Sequence, residues 1–577
     1  MDGAAVRGSL PPRSAGEAAP PEVGSRQPSS GGRAHRLVAL LAAAGAGGVL
    51  VLAFPPSGVW PLAFGSVAVL GWLVRGRSGW AGAGLGLAFG VAFFVPLLRW
   101  SGIYVGPAPW LILAGAQAVF VAALGAAAAV VSRLPGWPVW WAAMWVAQEA
   151  ARARGPFGGF PWGRLAFSQD GSPLAWLAAY GGAPLVSFAV ALVGGLLAAV
   201  LTPGGRGRPR RAPAAALGLV LALVLAGSAL ARAAAGPDGS TPTSTVAIVQ
   251  GNVPQLGLDF NAQRAAVLRN HVQRTLELAD AVAAGRLPRP QLVIWPENAA
   301  DIDPLADAGA RADIDRAARA VGVPILVGAV LDGPGPDHVT NAGIVWDPVA
   351  GPGERYVKRH PVPFGEYIPL RRIARLVSKD VDRVGRDMVA GGAPGVLRVG
   401  PVTVGDVICF EVAYDGLVRD VARGGAGLLV VQTNNATFGR SDETWQQLAM
   451  GRLRAIEHNR TVLVAATSGV SAVIEPNGHF AARSDVFTAD VLVAAVPIER
   501  RTTLATRLGA MPEWSLTAVA AVALGAAILV GLRRRRSEPL AEPRSGARPE
   551  VLSEPPARRR DAVDVLTPSD FHREERE

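Results

Sequence analysis

The chain has 577 residues, half of them hydrophobic and only 18% charged, which is too apolar a balance for a wholly soluble protein of this length. Its formal net charge of +11 would suggest nucleic acid as a partner, but the arginines gather in the two tails and in short loops between apolar runs, which fits the cytoplasmic side of a membrane protein better than a basic groove for phosphates. A single cysteine, Cys409, rules out an intramolecular disulfide, and no His or Cys spacing suggests a metal site.

In chain order, residues 1–34 are rich in Pro, Gly, Ser and Ala without an apolar period, and read as a disordered cytoplasmic tail. Seven apolar runs fill a transmembrane domain at 35–235: Leu37–Phe54, Val59–Val74, Trp80–Leu98, Trp110–Val131, Trp137–Ala147, Leu174–Leu201 and Ala214–Ala235. Most are long enough to span a bilayer, while the second and fifth are short. Basic residues recur in alternate loops: Arg33 and Arg36, then Arg75 and Arg77, then Arg133, then Arg206 to Arg211. The positive-inside rule makes those loops cytoplasmic and places the chain beyond Ala235 outside. Arginines at 152–164 fall on the outer side, where they read either as an ordinary solvated loop or as a steer for lipid phosphates. The aromatics Trp100, Tyr104, Trp110, Phe157, Phe160 and Trp162 read as an interfacial belt, and Glu149 as an interfacial carboxylate.

From 244 to 500 the texture changes to short β-branched runs alternating with amphipathic stretches. Strands are predicted at Thr245–Gln250, Leu292–Trp295, Pro324–Val330, Ala342–Trp346, Val402–Ile408, Leu428–Gln432, Thr461–Ala465 and Val491–Val496. Helices are predicted near Ala262–Ala284, Ala308–Ala320 and Glu443–Asn459, giving one extracytoplasmic α/β domain. A last span at 513–532 then meets Arg533-Arg534-Arg535-Arg536, a stop-transfer signature that returns a basic, disordered tail, 533–577, to the cytoplasm.

Three residues stand where chemistry would need them. Cys409 and Glu297 each terminate an apolar strand-like run, and a thiol without a disulfide partner is either core packing or a nucleophile. Lys358 is one of only two lysines among 56 Lys+Arg, so it is kept against a strong bias toward arginine. A compact ammonium can sit beside a reacting carbonyl where a planar guanidinium cannot.

Glu297 in Trp295-Pro296-Glu297, Lys358 with the trailing Pro363-Phe364-Gly365-Glu366-Tyr367-Ile368-Pro369, and Cys409 in Ile408-Cys409-Phe410-Glu411 together resemble the carbon–nitrogen hydrolase (nitrilase) superfamily. With Gln250-Gly251-Asn252-Val253-Pro254-Gln255, the preceding spans and the segment Gly158 to Leu165, the chain resembles its membrane-embedded branch, the apolipoprotein N-acyltransferases, over about residues 35–532. The resemblance implies an α-β-β-α sandwich on a membrane domain of about eight helices. It also implies transfer of an acyl group from a phospholipid, through a Cys409 thioester, to the α-amine of the diacylglyceryl-cysteine of an apolipoprotein. Glu297 would be the base and Lys358 the oxyanion partner, supported by Glu366 and Glu411. No cofactor is implied, and the expected form is a monomeric, multi-pass protein of the cell (inner or plasma) membrane with both termini cytoplasmic. Phe410 stands where many members carry Tyr, and Phe260 and Phe438 where Trp is frequent, so these three are candidate substrate contacts. The alternative is a membrane-tethered amidase with water as acceptor. A transporter is disfavoured, because the spans carry almost no interior ionisable residues.

Overall fold

The computed structural model describes residues 30–202, 211–236, 240–253 and 263–537. Most of both predicted tails, the 203–210 loop and Phe260 lie outside the described residues.

Seven helices precede the strands: α1 (Ser30–Val51), α2 (Leu62–Val74), α3 (Gly79–Leu97), α4 (Pro107–Val131), α5 (Trp137–Arg152), α6 (Ala178–Leu201) and α7 (Arg211–Ala234). Five of these, all except α2 and α5, are long and apolar enough to cross a membrane, as is the final helix α14 (Met511–Ser537). At 13 and 16 residues, α2 and α5 fall short of the roughly 20 needed at about 1.5 Å per residue. The expectation of about eight spans thus rests on six helices of spanning length and two shorter ones. Where lipid offers no hydrophobic drive, helices associate by close backbone approach at small residues. At the crossing of α3 and α4, a Cβ on Gly82 would lie 2.3 Å from the Gly125 carbonyl oxygen, so nothing larger fits.

The remaining helices are α8 (Arg264–Ala283), α9 (Ala308–Val321), α10 (Arg371–Val377), α11 (Asp415–Arg423), α12 (Glu443–His458) and α13 (Leu504–Leu508). Strands β1 (Thr243–Gln250), β2 (Leu292–Ile294), β3 (Ile325–Asp332), β4 (His338–Asp347), β5 (Gly351–Val357) and β13 (Asp490–Pro497) form one sheet in the order β13-β1-β2-β3-β4-β5, and β6 (Asp387–Met388) pairs with β4. The second sheet runs β12-β11-β10-β9-β8-β7, from β7 (Val396–Val399), β8 (Val402–Ile408), β9 (Leu428–Thr433), β10 (Thr461–Ala466), β11 (Ala472–Ile474) and β12 (Phe480–Arg483). In both sheets the central strands, β1-β2-β3 and β8-β9-β10, are parallel. Parallel strands covered on both faces read as unbroken apolar runs, which makes these the plainest elements in the sequence.

Ile248, Ile294, Val404, Val430 and Leu463 fill one core between the sheets. The other face of the first sheet packs on α8 and α9 through Val293, Trp295, Leu268 and Ile314. The other face of the second sheet packs on α11 and α12, and that core runs on without a break into the membrane helices. The layer order is α-β-β-α, as the resemblance implies, with α11 and α12 lying between sheet and membrane domain.

The junction corrects three expectations. Arg152 and Arg164 are neither solvated nor open to lipid phosphates: each is 1% exposed. Arg152 donates to the Phe160 carbonyl at 2.9 Å, and Arg164 donates to Asp415 of α11 at 2.8 Å. Glu149 is buried, accepting from Trp145 Nε1 and from the Leu165 amide. Trp100 and Trp162 do not form a lipid-facing belt. Both indole N–H groups donate to Gln446 Oε1 of α12, at 3.2 and 2.6 Å. In α6, Gly181 and Gly182 leave helical geometry. Gly182, at φ +69°, makes room for Glu457 of α12, whose Oε1 would be 2.7 Å from a Cβ there.

Candidate active site

The site forms where the central strands end. β2 runs out into Trp295-Pro296-Glu297, β5 into Lys358, β8 into Cys409, and β9 ends at Thr433. Parallel strands deliver their C-terminal residues to one edge, so three distant segments of sequence converge there.

Lys358, 1% exposed, is the hub. Its Nζ donates to Glu297 Oε1 at 3.0 Å and to Glu366 Oε1 at 2.8 Å. Burial opposes the charge, but the carboxylates of Glu297 and Glu366 outweigh it and hold the lysine well above its ordinary pKa. Asn341, opposite on β4, donates to the same two oxygens at 2.7 and 3.3 Å. Glu297 Oε2 accepts from the Asn434 amide at 2.9 Å, and the carbonyl of Glu297 accepts from Thr467 Oγ1. Glu366 Oε2 accepts from the Val362 amide, which closes its own loop. Each carboxylate is therefore pinned at both oxygens.

Cys409 opens a short 3-10 turn, Cys409–Ala413, with φ at +52°. A non-glycine residue in the left-handed region costs energy, and such outliers cluster where a side chain must be presented at a fixed angle. The residue is partly exposed, yet its sulfur is deep enough for burial to push the thiol up, with Glu297 adding to the rise and Lys358 opposing it. The resting group is the thiol. Its hydrogen-bond partners are Thr433 Oγ1 at 3.4 Å and Gln447 Nε2 at 3.5 Å.

The supporting candidates divide. Glu366 sits on Lys358. Glu411 instead faces the turn: it accepts from the Ile408 amide at 2.8 Å, from Tyr356 Oη at 2.8 Å, and from the Arg359 and His360 amides at 2.8 and 3.0 Å. It thereby ties the Cys409 turn to the backbone just after Lys358. Phe410 stacks on Phe160 and Trp162, with ring centroids 5.6 and 6.1 Å apart, and Phe438 meets Trp100 edge-on at 5.0 Å. Both aromatics thus lie against the membrane domain.

Sequence reasoning missed Asn341, Tyr356, Thr433 and Gln447. Gln447 falls inside a predicted helix, Asn341 and Thr433 lie in or beside predicted strands, and Tyr356 stands in a strand that was not predicted. For Thr433 the available signal was a polar pair closing an otherwise apolar buried run, Leu428-Leu429-Val430-Val431-Gln432-Thr433. Among the described residues no group of three or more His, Cys, Asp or Glu could hold a metal ion.

Residues 46–196 match the apolipoprotein N-acyltransferase N-terminal domain, and residues 245–506 match the carbon–nitrogen hydrolase domain. An apolipoprotein N-acyltransferase of Mycolicibacterium smegmatis is 46% identical over 86% of this chain and 86% of its own length. Those of Azotobacter vinelandii and Geobacter metallireducens are 34% and 30% identical, covering 86% and 85% of this chain and 95% and 94% of theirs. A mutant amidase of the nitrilase superfamily from Nesterenkonia is similar at 22% identity and a TM-score of 0.33, over 45% of this chain and 92% of that one. A membrane helical domain fused to a Glu, Lys and Cys site on a two-sheet sandwich, with identity along most of the sequence, leads to one conclusion: the chain is a membrane acyltransferase that belongs to the apolipoprotein N-acyltransferase family.

Proposed function

We propose that this protein N-acylates lipoproteins in two steps on Cys409. In the first, Glu297 takes the thiol proton as sulfur attacks the ester carbonyl of a membrane phospholipid. Lys358 has a third N–H without a protein partner among the described residues, which is left to meet the charge developing on the carbonyl oxygen. The lysophospholipid alkoxide leaves and recovers the proton from Glu297. In the second step the α-amine of a diacylglyceryl-cysteine attacks the thioester, gives a proton to Glu297, and the thiolate leaves and is reprotonated. Glu366 keeps Lys358 placed, Glu411 holds the turn, and Phe410 and Phe438 line the acyl side.

The observation that carries this reading is Phe410. The residue next to the nucleophile is stacked on Phe160 and Trp162 of the membrane domain, so the thiol opens beside the segment through which a bilayer lipid would arrive. An amidase using soluble substrates would have no use for that placement. Mass spectrometry of the intact protein after incubation with phospholipid alone tests it: an acyl adduct on Cys409 is expected, discharged by a diacylated lipopeptide. Glu297→Gln should slow adduct formation by about 10²–10⁴-fold, the usual worth of a general base. Adduct formation at the normal rate would remove Glu297 from that role.

The catalytic domain is proposed to face away from the cytoplasm, on the evidence of the alternating basic loops and the arginines at 533–536. In a Cys409→Ser background, a membrane-impermeant thiol reagent added to spheroplasts should label Val349→Cys, which is 94% exposed on the β4–β5 turn. It should miss a cysteine placed at 205–210. The reverse pattern would overturn the topology.

A further inference from the structure

The sulfur's two hydrogen-bond partners belong to a buried polar chain that the two-step mechanism does not use. Glu443, at the start of α12, is 1% exposed and accepts from Asn435 Nδ2 at 2.7 Å. The same Nδ2 donates to Gln447 Oε1 at 3.1 Å, and Thr433 Oγ1 is 2.9 Å from that oxygen. Burial pushes the Glu443 carboxyl up to about 7; in its ionised form it can only accept, and so fixes which end of the Asn435 amide faces α12. The second N–H of Asn435 then fixes the Gln447 amide, with its oxygen toward Asn435 and Thr433 and its NH₂ toward Cys409 Sγ at 3.5 Å. Asn435 is itself confined, because a Cβ on Gly469 would lie 2.3 Å from its Oδ1.

We infer that Gln447 is a positioning residue for the thiolate, its amide N–H held toward Sγ by the Glu443–Asn435 chain so that a donor already faces the sulfur when its charge forms. This rests on Cys409 being the nucleophile. The proton inventory supports it. Thr433 has one hydroxyl proton and two acceptors within reach, Gln447 Oε1 at 2.9 Å and Cys409 Sγ at 3.4 Å, and the shorter contact takes it while sulfur keeps its own proton. Once the thiol proton has gone to Glu297, the hydroxyl can turn its proton to the sulfur, because Gln447 Oε1 keeps the bond from Asn435. The thiolate then receives one N–H and one O–H with no movement of the backbone. Donors that need no reorganisation stabilise a nascent charge most effectively. The neighbouring residue explains why α12 can hold this geometry: Gln446 is clamped by Trp100 and Trp162, so consecutive side chains of one helical turn bind the membrane domain and the nucleophile.

Because Cys409 is the sole cysteine, alkylation of the full-length detergent-solubilised protein by iodoacetamide reads this one thiol, whatever the acyl acceptor is. Gln447→Glu keeps the shape and the oxygen that Asn435 and Thr433 bond, but presents an acceptor to sulfur. Its alkylation rate at fixed pH should fall by about tenfold or more, with the rate–pH midpoint displaced upward by at least about one unit. Gln447→Leu should fall by a smaller factor in the same direction, and Asn435→Ala, which frees the amide to flip, should lie between Gln447→Leu and the wild type. Thermal melting of each variant checks folding. A wild-type rate and profile in folded Gln447→Glu and Gln447→Leu overturns the inference, and so does failure of Gln447→Glu to fold, since that would make the amide a structural element. Normal lipoprotein acylation chemistry combined with an unshifted thiol would sink this inference alone. A shifted thiol in a protein that acylates no lipopeptide would sink the proposed function alone.

Discussion

Cys409→Ser is expected to fold, insert and bind substrate while losing acyl transfer by on the order of 10⁴–10⁶-fold, as happens when the nucleophile of a catalytic unit is removed. The fold should survive because Thr433 and Gln447 can bond a hydroxyl as they bond the thiol, and the φ of +52° is imposed by the turn rather than by sulfur. The chemistry should fail because burial and the nearby Glu297 carboxylate already push the thiol up. A serine hydroxyl starts several units higher and faces the same two penalties, so Glu297 can no longer drive the proton across. Turnover of a diacylated lipopeptide in phospholipid micelles, with mass spectrometry for an ester adduct, is the measurement. Near-normal turnover would exclude a thioester path.

The second large effect belongs to Lys358. Lys358→Met should reduce turnover by about 10²–10³-fold through loss of the oxyanion partner. It should also destabilise the catalytic domain by about 3–5 kcal/mol, because Glu297 and Glu366 would face each other across a buried space with their shared cation gone. These two effects can be separated. Adding Glu366→Gln removes one of the stranded charges, so the double variant should regain much of the lost thermal stability and none of the activity. The folded lysine sits well above its ordinary pKa, so its contribution to stability is complete below the unfolded lysine's pKa and is lost only as pH rises through the folded value. The lysine's own share of the Lys358→Met deficit should therefore be flat through neutral pH. Lys358→Arg should be nearly as inactive as Lys358→Met, because a misplacement of about 1 Å costs roughly a hundredfold. Recovery of activity in the double variant, or in the arginine form, would refute the oxyanion role.

The central parallel strands, with Glu297 and Cys409 at their ends, were legible because buried parallel strands leave an unbroken apolar signature and end abruptly at the residue they deliver. The short antiparallel pieces left no such trace. β5, with Glu354 and Arg355 exposed, and β7 and β12, at four residues each, carry too few apolar positions for a period to show. How Glu411 is held was not legible either, because the 3-10 turn swings its carboxylate back onto the backbone at 408 and 359–360. Arg164 was misread because its partners, Asp415 and Glu513, lie some 250 and 350 residues further along the chain. A charge in an apolar context has no local marker of the carboxylate that will meet it.

The unbroken core beneath the second sheet bears on how this protein can be handled and how it could have arisen. Phe410, Val412, Leu448 and Ile456 share one apolar interior with Trp100, Phe167, Trp176 and Val186. Cutting the chain near residue 240, where its texture changes, would uncover that interior along the flank of α12 and free the indoles that clamp Gln446. A soluble fragment carrying every candidate catalytic residue should therefore be sticky and poorly ordered at the very turn that holds its cysteine. The textural boundary in the sequence is not a boundary of cooperative folding, and exchanging either half with a relative would require the contact residues of both halves to travel together.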